Sequence, residues 1–264
     1  MVVDSVAPHA AARSPEAGWL SRYREHRAVL ATAQKSPVGT PAYSRRINRP
    51  AARRVAAAGA LVGLSPNAAT AISALLSALG LTLLFMAEPS LRVGLAVAVL
   101  LAAGYVMDSA DGQLARLRGV GSLSGEWLDH TVDCVKTCLL HLAVLVSFYR
   151  WPPEPDGLVR DVVLLVPMAF LVADITLYFG ILTLPHLRSR TGSAAPSRTA
   201  EGPLREWLVL PNDYGLICWT FVLLAWPPVF LAAYTLLAAA NLAFLALAWA
   251  KWWRELRALD RQEC

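Results

Sequence analysis

The chain has 264 residues, of which 56% are hydrophobic and only 16% are charged, and its mean hydropathy is positive at +0.46. This composition excludes an ordinary soluble domain and a disordered chain, and it is typical of a protein embedded in a membrane. The net charge of +5 comes from basic segments between apolar runs, so it indicates contact with anionic lipid rather than binding of nucleic acid.

The first 64 residues are polar and basic. Residues 1–43 predict a cytoplasmic N-terminal segment that is partly disordered, because they lack the apolar core of a signal peptide and are rich in Ala and Arg. In residues 44–64, Ile47, Val55 and Leu61 alternate with five arginines, which predicts an amphipathic juxtamembrane helix on the cytoplasmic membrane surface. A solvated basic linker is the alternative.

Six apolar stretches follow, each close to the roughly 20 residues that a helix needs to cross a bilayer. They predict an all-α integral membrane protein with six transmembrane helices, in which residues 65–252 form the membrane domain and residues 253–264 a cytoplasmic tail. The fifth stretch is the weakest, because Asn212 and Asp213 open it and a Pro-Pro pair closes it. The stretches cover residues 67–87, 91–115, 126–149, 158–183, 211–227 and 228–250.

Basic residues are unevenly distributed over the segments between these stretches. Of the 24 lysines and arginines, ten precede residue 66, and only Arg92, Arg150 and Arg160 lie in the alternate set of loops. The positive-inside rule therefore predicts a multi-pass cell-membrane protein with both termini in the cytoplasm. The same rule places the turn at residues 116–124, between the second and third stretches, on the cytoplasmic side.

Four aspartates at this turn are the most informative residues of the chain. Asp108 and Asp111 are three residues apart, and Asp129 and Asp133 are four apart, so each pair occupies one face of a helix. A charged aspartate at membrane depth costs roughly 2.5–3.5 kcal/mol, so the four need a neutralising partner. A divalent cation with oxygen ligands is the obvious candidate, whereas solvation at the helix ends is the alternative.

The pattern around these aspartates, D-x2-D-G-x2-A-R-x8-G-x3-D-x3-D, resembles the signature of the CDP-alcohol phosphotransferase family at every fixed position. The resemblance implies a homodimeric membrane enzyme of phospholipid synthesis. In such an enzyme a CDP-linked lipid donor, usually CDP-diacylglycerol, loses CMP when an acceptor alcohol attacks, with Mg²⁺ or Mn²⁺ as the cofactor. The matching residues are Asp108, Asp111, Gly112, Ala115, Arg116, Gly125, Asp129 and Asp133.

The resemblance also implies roles for individual residues. Asp108, Asp111 and Asp129 match the metal-coordinating aspartates, and Asp133 matches the general base. The segment S-P-N-A-A-T, residues 65–70, resembles the P-N-x-x-T that opens the first helix of the family and faces the nucleotide, although capping explains the same residues. The expected donor-binding residues are therefore Gly112, Ala115, Arg116 and Gly125, with Asn67 and Thr70.

The acceptor alcohol is less well defined. Lys136 lies three residues beyond Asp133, where it either pairs with a motif aspartate or binds the phosphate of an acceptor such as inositol phosphate or glycerol phosphate. Relatives with phosphorylated acceptors often have an arginine where this chain has Asn212 and Asp213. An unphosphorylated acceptor, or a different donor such as CDP-inositol or a CDP-amino alcohol, therefore stays open. An ion-coupled carrier is the non-enzyme alternative, and the clustering of the aspartates at one end argues against it.

Overall fold

The computed structural model describes residues 18–34, 39–153, 157–190 and 205–263, and this part of the chain is helical. A π-helical turn at Ser44–Asn48 precedes the second helix, and 3-10 turns at Leu210–Asn212 and Phe221–Ala225 flank the eighth. The α-helices are α1 (Trp19–Thr32), α2 (Arg49–Leu61), α3 (Pro66–Met86), α4 (Leu91–Arg118), α5 (Leu123–Arg150), α6 (Gly157–Arg190), α7 (Arg205–Leu208), α8 (Tyr214–Thr220) and α9 (Pro227–Glu263).

The predicted all-α membrane architecture is confirmed, whereas the count of six spanning helices is not. Among the described residues, five helices are long and apolar enough to cross a membrane, namely α3, α4, α5, α6 and α9. The fifth predicted stretch, 211–227, is broken into short helical pieces, and its longest apolar run, Tyr214–Ala225, is too short to span a bilayer. Prolines at both ends and Asp213, which accepts a hydrogen bond from the Gly215 N–H at 2.9 Å, fix these boundaries.

The broken segment packs inside the bundle against α4. A side chain at Gly94 would place its Cβ only 2.4 Å from the Phe221 carbonyl oxygen, so glycine lets the two backbones approach closely. Phe221 and Leu224 are buried in the main hydrophobic core. This stretch is hydrophobic because it is covered by other helices, and its composition resembles that of a membrane span for that reason.

The other long helices pack against one another in pairs. Helix α3 packs against both α4 and α5, and α6 packs against both α5 and α9. A polar network links three of these helices inside the core, where the His141 ring lies 2.7 Å from the Tyr234 hydroxyl and 3.0 Å from an Asp174 carboxylate oxygen. These bonds satisfy groups that would otherwise be costly among apolar side chains.

The predicted juxtamembrane helix corresponds to α2, but its location on a membrane surface is not confirmed. Its alanine face is buried, and Ala52 and Ala56 pack in one cluster with Leu30 of α1 and Leu114 of α4. Small side chains allow this close helix packing, whereas Ile47, one of the apolar residues on which the prediction rested, is 55% exposed.

The predicted domain boundaries remain predictions. Residues 1–17 and 35–38 of the N-terminal segment lie outside the described residues, and α1 lies between them. At the other end, α9 continues through Glu263, so the predicted tail extends the last helix.

Candidate active site

The eight motif residues are divided between two helices joined by a short turn. Asp108 to Arg116 lie in the last turns of α4, and Gly125 to Asp133 lie in the first turns of α5. Gly119 ends α4 with a left-handed φ of +63°, which glycine adopts without strain. Ser122 then caps α5 by accepting a hydrogen bond from the Gly125 N–H at 3.0 Å. Both helices pack against α3, so residues of α3 reach the same place.

A cavity of about 810 Å³ lies between these helix ends. This volume falls within the range of small-molecule and cofactor sites. Asp111 and Asp129 line it, together with all six residues expected to bind the donor: Asn67, Thr70, Gly112, Ala115, Arg116 and Gly125. The structure thus brings the predicted donor residues around one cavity, and their roles remain predictions.

Asp111 is held at the cavity by short polar contacts. Its Oδ2 accepts a hydrogen bond from the Thr70 hydroxyl at 2.6 Å, and its Oδ1 lies 2.5 Å from the Gly112 N–H. Thr70 and Asp111 are both buried. The start of α3 therefore fixes the orientation of a motif carboxylate through Thr70, while Ser65 caps the helix by accepting a hydrogen bond from the Ala68 N–H.

Lys136 bridges two motif aspartates. Its Nζ forms ion pairs with Asp108 and, at 2.7 Å, with Asp133 Oδ1, and it donates to Ser73 Oγ at 3.3 Å. A lysine ammonium has three N–H donors, and these three partners use all of them. Of the two roles predicted for Lys136, the structure shows the pairing with motif aspartates. Binding of an acceptor phosphate would require Lys136 to leave these partners, and that role remains an untested prediction.

Substitution of Lys136 by methionine is expected to destabilise the protein and to affect both substrates alike. Removing one partner of a buried ion pair typically costs about 3–5 kcal/mol, because it leaves a buried charge uncompensated. Lys251→Met, at an exposed position of α9, is the matched control and should behave like the wild type. Thermal unfolding and the KM values of donor and acceptor provide the measurement. A stable Lys136→Met protein with only the acceptor KM raised would contradict the pairing role.

A second group of possible ligands lies at the start of α5. Asp129, His130 and Asp133 each offer a ligand atom, and these atoms lie within 4.8 Å of one another. Carboxylate oxygens suit Mg²⁺ and Mn²⁺, so the donor set at this site fits the expected cations. The predicted ligand set of Asp108, Asp111 and Asp129 remains a prediction: Asp108 forms an ion pair with Lys136, and Asp111 accepts a hydrogen bond from Thr70.

Arg116 lies at the cavity but has a partner that the sequence did not indicate. Its Nε donates to the carbonyl oxygen of Ala33 at 3.0 Å, just beyond the end of α1. Its Nη1 lies over Gly112, 3.4 Å from where a Cβ would be. The guanidinium is therefore held at the donor cavity by the N-terminal segment, in addition to any role in binding phosphate.

Two residues near the motif, Tyr178 and Ser73, were missed by the sequence analysis. Tyr178 of α6 donates its hydroxyl hydrogen to the His130 carbonyl oxygen at 2.7 Å, and Ser73 contacts Lys136. Asp213, which stands where relatives with phosphorylated acceptors often have an arginine, is buried and accepts a hydrogen bond from the Ser44 N–H at 2.7 Å. These contacts join residues far apart in sequence, so no local pattern indicates them.

Comparison with solved structures finds similar helical proteins. The crystal structure of phosphatidylinositol phosphate synthase (PgsA1) from Mycobacterium tuberculosis in complex with manganese and citrate has a TM-score of 0.49 and 22% identity, covering 78% of this chain and 89% of that chain. The structure of the same synthase with CDP-DAG bound has a TM-score of 0.47 and 22% identity, and the match covers 79% of this chain and 94% of that chain. No curated protein sequence matches the chain significantly.

A protein-family model gives the decisive match. The model of the CDP-alcohol phosphatidyltransferases matches residues 64–253, a range that contains α3 to α8 and most of α9. All eight fixed positions of the motif lie within this range. The chain therefore belongs to the CDP-alcohol phosphatidyltransferase family and is an enzyme of that class.

Proposed function

We propose that this enzyme transfers a phosphatidyl group from CDP-diacylglycerol, or a related substituted phosphate from a CDP-linked lipid, to an acceptor alcohol and releases CMP. The observation that carries the proposal is the arrangement around the 810 Å³ cavity, where the six donor residues and two motif aspartates lie together. Family membership supports the same class of reaction. An ion-coupled carrier would instead require carboxylates distributed along a path through the membrane.

The donor is expected to lie along the cavity from α3 to Arg116. A side chain at Gly125 would place its Cβ 2.9 Å from Ser122 Oγ and 3.3 Å from Asn67 Oδ1, so this wall is already tightly packed and a larger residue would intrude on the site. The diphosphate is expected beside Gly112 and Arg116, because a guanidinium can bind phosphate oxygens through two parallel hydrogen bonds.

Asp108, Asp111 and Asp129 are the proposed ligands of Mg²⁺ or Mn²⁺. Three carboxylates beside a diphosphate would repel one another, so binding of the donor requires positive charge at this point. A bound divalent cation would neutralise charge on the transferring phosphoryl group and on the departing CMP. The Thr70 hydroxyl would keep Asp111 oriented toward the cavity.

Asp133 is the proposed general base. Its carboxylate would take the proton from the acceptor hydroxyl as that oxygen attacks the phosphorus nearer the lipid. The new phosphorus–oxygen bond forms while the bond to the CMP oxygen breaks, so the products are a phosphodiester lipid and CMP. Lys136 would hold one oxygen of Asp133 at 2.7 Å, which leaves the other available to the acceptor.

The contacts of Lys136 favour an acceptor without a phosphate. All three of its donors are engaged, and Arg45 and Arg46, in the helical turn before α2, form ion pairs with Glu206. CMP release from CDP-diacylglycerol by purified enzyme, measured with inositol, glycerol and serine and with inositol phosphate and glycerol phosphate, tests both levels of the proposal. Release with an unphosphorylated alcohol is expected. Release only with phosphorylated acceptors would overturn the acceptor preference. Failure of every acceptor in this set to support CMP release from CDP-diacylglycerol would overturn the function.

We also propose that both termini and the active site are cytoplasmic, because the motif turn and the N-terminal segment carry most of the arginines. The two ends of α6, which is about 50 Å long, provide the test. In a variant without native cysteines, Leu158→Cys should react with an impermeant maleimide on intact cells, and Ser189→Cys only after permeabilisation. Reversed reactivity at both positions would contradict this orientation.

We also propose that the enzyme is a homodimer, as the family resemblance implies. Light scattering of the purified enzyme in detergent should give the protein mass of two chains. A protein mass of one chain across the concentrations used in the assay would contradict it.

A further inference from the structure

Helix α1 lies outside the range matched by the family, yet it packs directly on the catalytic helix. It contacts α2 and the motif helix α4. Leu30, the side chain at the centre of this contact, is fully buried in a cluster with Ala56, Ala110 and Leu114. Ala110 and Leu114 alternate with motif residues along α4, so α1 covers the back of the helix whose other side forms the donor cavity.

The residues just after α1 make polar contacts with motif-helix side chains. The Ala33 carbonyl oxygen accepts from Arg116 Nε at 3.0 Å, and Gln34 Nε2 lies 3.3 Å from Gln113 Oε1. Gln113 is itself buried and donates to the Arg49 carbonyl oxygen at 3.2 Å. Carbonyl groups at the C-terminal end of a helix carry partial negative charge, so a guanidinium is favoured there. Two consecutive residues thus connect α1 to the segment between Asp111 and Arg116.

These contacts fix how Arg116 presents its guanidinium. One edge is tied to α1 through Nε, and Nη1 lies over Gly112 at the cavity. A free arginine side chain populates many rotamers, and a ligand that had to order it would bind more weakly. A guanidinium that is already held in place loses less freedom when the donor binds.

We propose that α1 is a positioning element of the donor site, which orients Arg116 toward the diphosphate of the CDP-linked donor. This inference rests on the proposed function. It makes an element outside the family domain part of the binding machinery, acting through Arg116 rather than by touching the substrate. Its effect should therefore appear in the affinity for the donor and should depend on the presence of Arg116.

The test compares substitutions at adjacent positions of α1. Leu30→Asp places a charge in the buried contact and should release α1, whereas Val29→Asp changes a side chain that is 39% exposed and serves as the matched control. Gln34→Ala is a milder variant that removes the link to Gln113 together with the bond from the Gln34 side chain to the Leu30 carbonyl oxygen, and it decides the question where Leu30→Asp does not give folded protein. Each substitution is made alone and in combination with Arg116→Ala. For each variant, the KM values for CDP-diacylglycerol and for the acceptor are measured, together with the direct binding of CDP.

Leu30→Asp is expected to raise the donor KM about tenfold and Gln34→Ala about threefold, with the acceptor KM within twofold of wild type. Neither change should raise the donor KM further in combination with Arg116→Ala, because α1 acts through the Arg116 side chain. An unchanged donor KM in folded variants, or effects that multiply with Arg116→Ala, would overturn the inference. Absence of donor-dependent CMP release in the wild type would overturn the proposed function instead.

Discussion

Substitution of Asp133 by asparagine is expected to lower turnover by about 10²- to 10⁴-fold, the usual contribution of a positioned general base. Asparagine has nearly the same shape but cannot accept the proton of the acceptor hydroxyl. Asp133 lies one turn beyond Asp129 in α5 and has one oxygen tied to Lys136. The donor should still bind, because the predicted donor residues around the cavity are unchanged.

The assignment of Asp133 as base can be separated from a role as metal ligand. Titration of Mn²⁺ in the presence of CMP should give similar affinities for Asp133→Asn and the wild type, and a much weaker affinity for Asp108→Asn. Asp161→Asn, at an exposed position of α6, is the control for the substitution itself. Equal loss of Mn²⁺ binding in Asp133→Asn and Asp108→Asn would make Asp133 a ligand, as its closeness to Asp129 and His130 would allow.

Removal of divalent cations is expected to abolish activity completely. The carboxylates of Asp108, Asp111 and Asp129 and the diphosphate of the donor carry charge of one sign, and Lys136 already shares its charge between Asp108 and Asp133. Dialysis against EDTA should bring CMP release to background, and Mg²⁺ or Mn²⁺ should restore it. Thermal unfolding measured in parallel separates loss of chemistry from loss of fold. Full turnover in excess chelator would contradict the proposed metal site.

The long helices were predictable from the sequence because each needs only a continuous apolar run. The predicted stretches 67–87 and 91–115 correspond closely to α3 and α4, and the prolines and serines at their starts are ordinary helix-start signals. The stretch at 211–227 has the same composition but is covered by α4 and α9. Hydropathy reports burial in any apolar environment, so it does not distinguish a membrane span from a short core segment.

The active site likewise has residues whose positions the sequence predicts and contacts that it does not predict. The aspartates and glycines of the motif could be placed on two helix ends, because their spacing matches helical periodicity and the family pattern. The partners of Lys136 and Arg116 depended on how α3, α4, α5 and α1 pack. Ser73 is 63 residues from Lys136 in the chain, and Ala33 is 83 residues from Arg116. Contacts of this kind arise from tertiary packing, and helical periodicity carries no information about them.

The fate of the phosphorus atom nearer the lipid decides whether this enzyme transfers a phosphatidyl group. CDP-diacylglycerol labelled at that phosphorus is incubated with the purified enzyme, a divalent cation and the acceptor that supports CMP release. The label is expected to appear in a new phosphodiester lipid, in amounts equal to the unlabelled CMP released, and Asp133→Asn should slow the formation of both products equally. Label recovered with the nucleotide or as free phosphate would contradict phosphatidyl transfer by this enzyme.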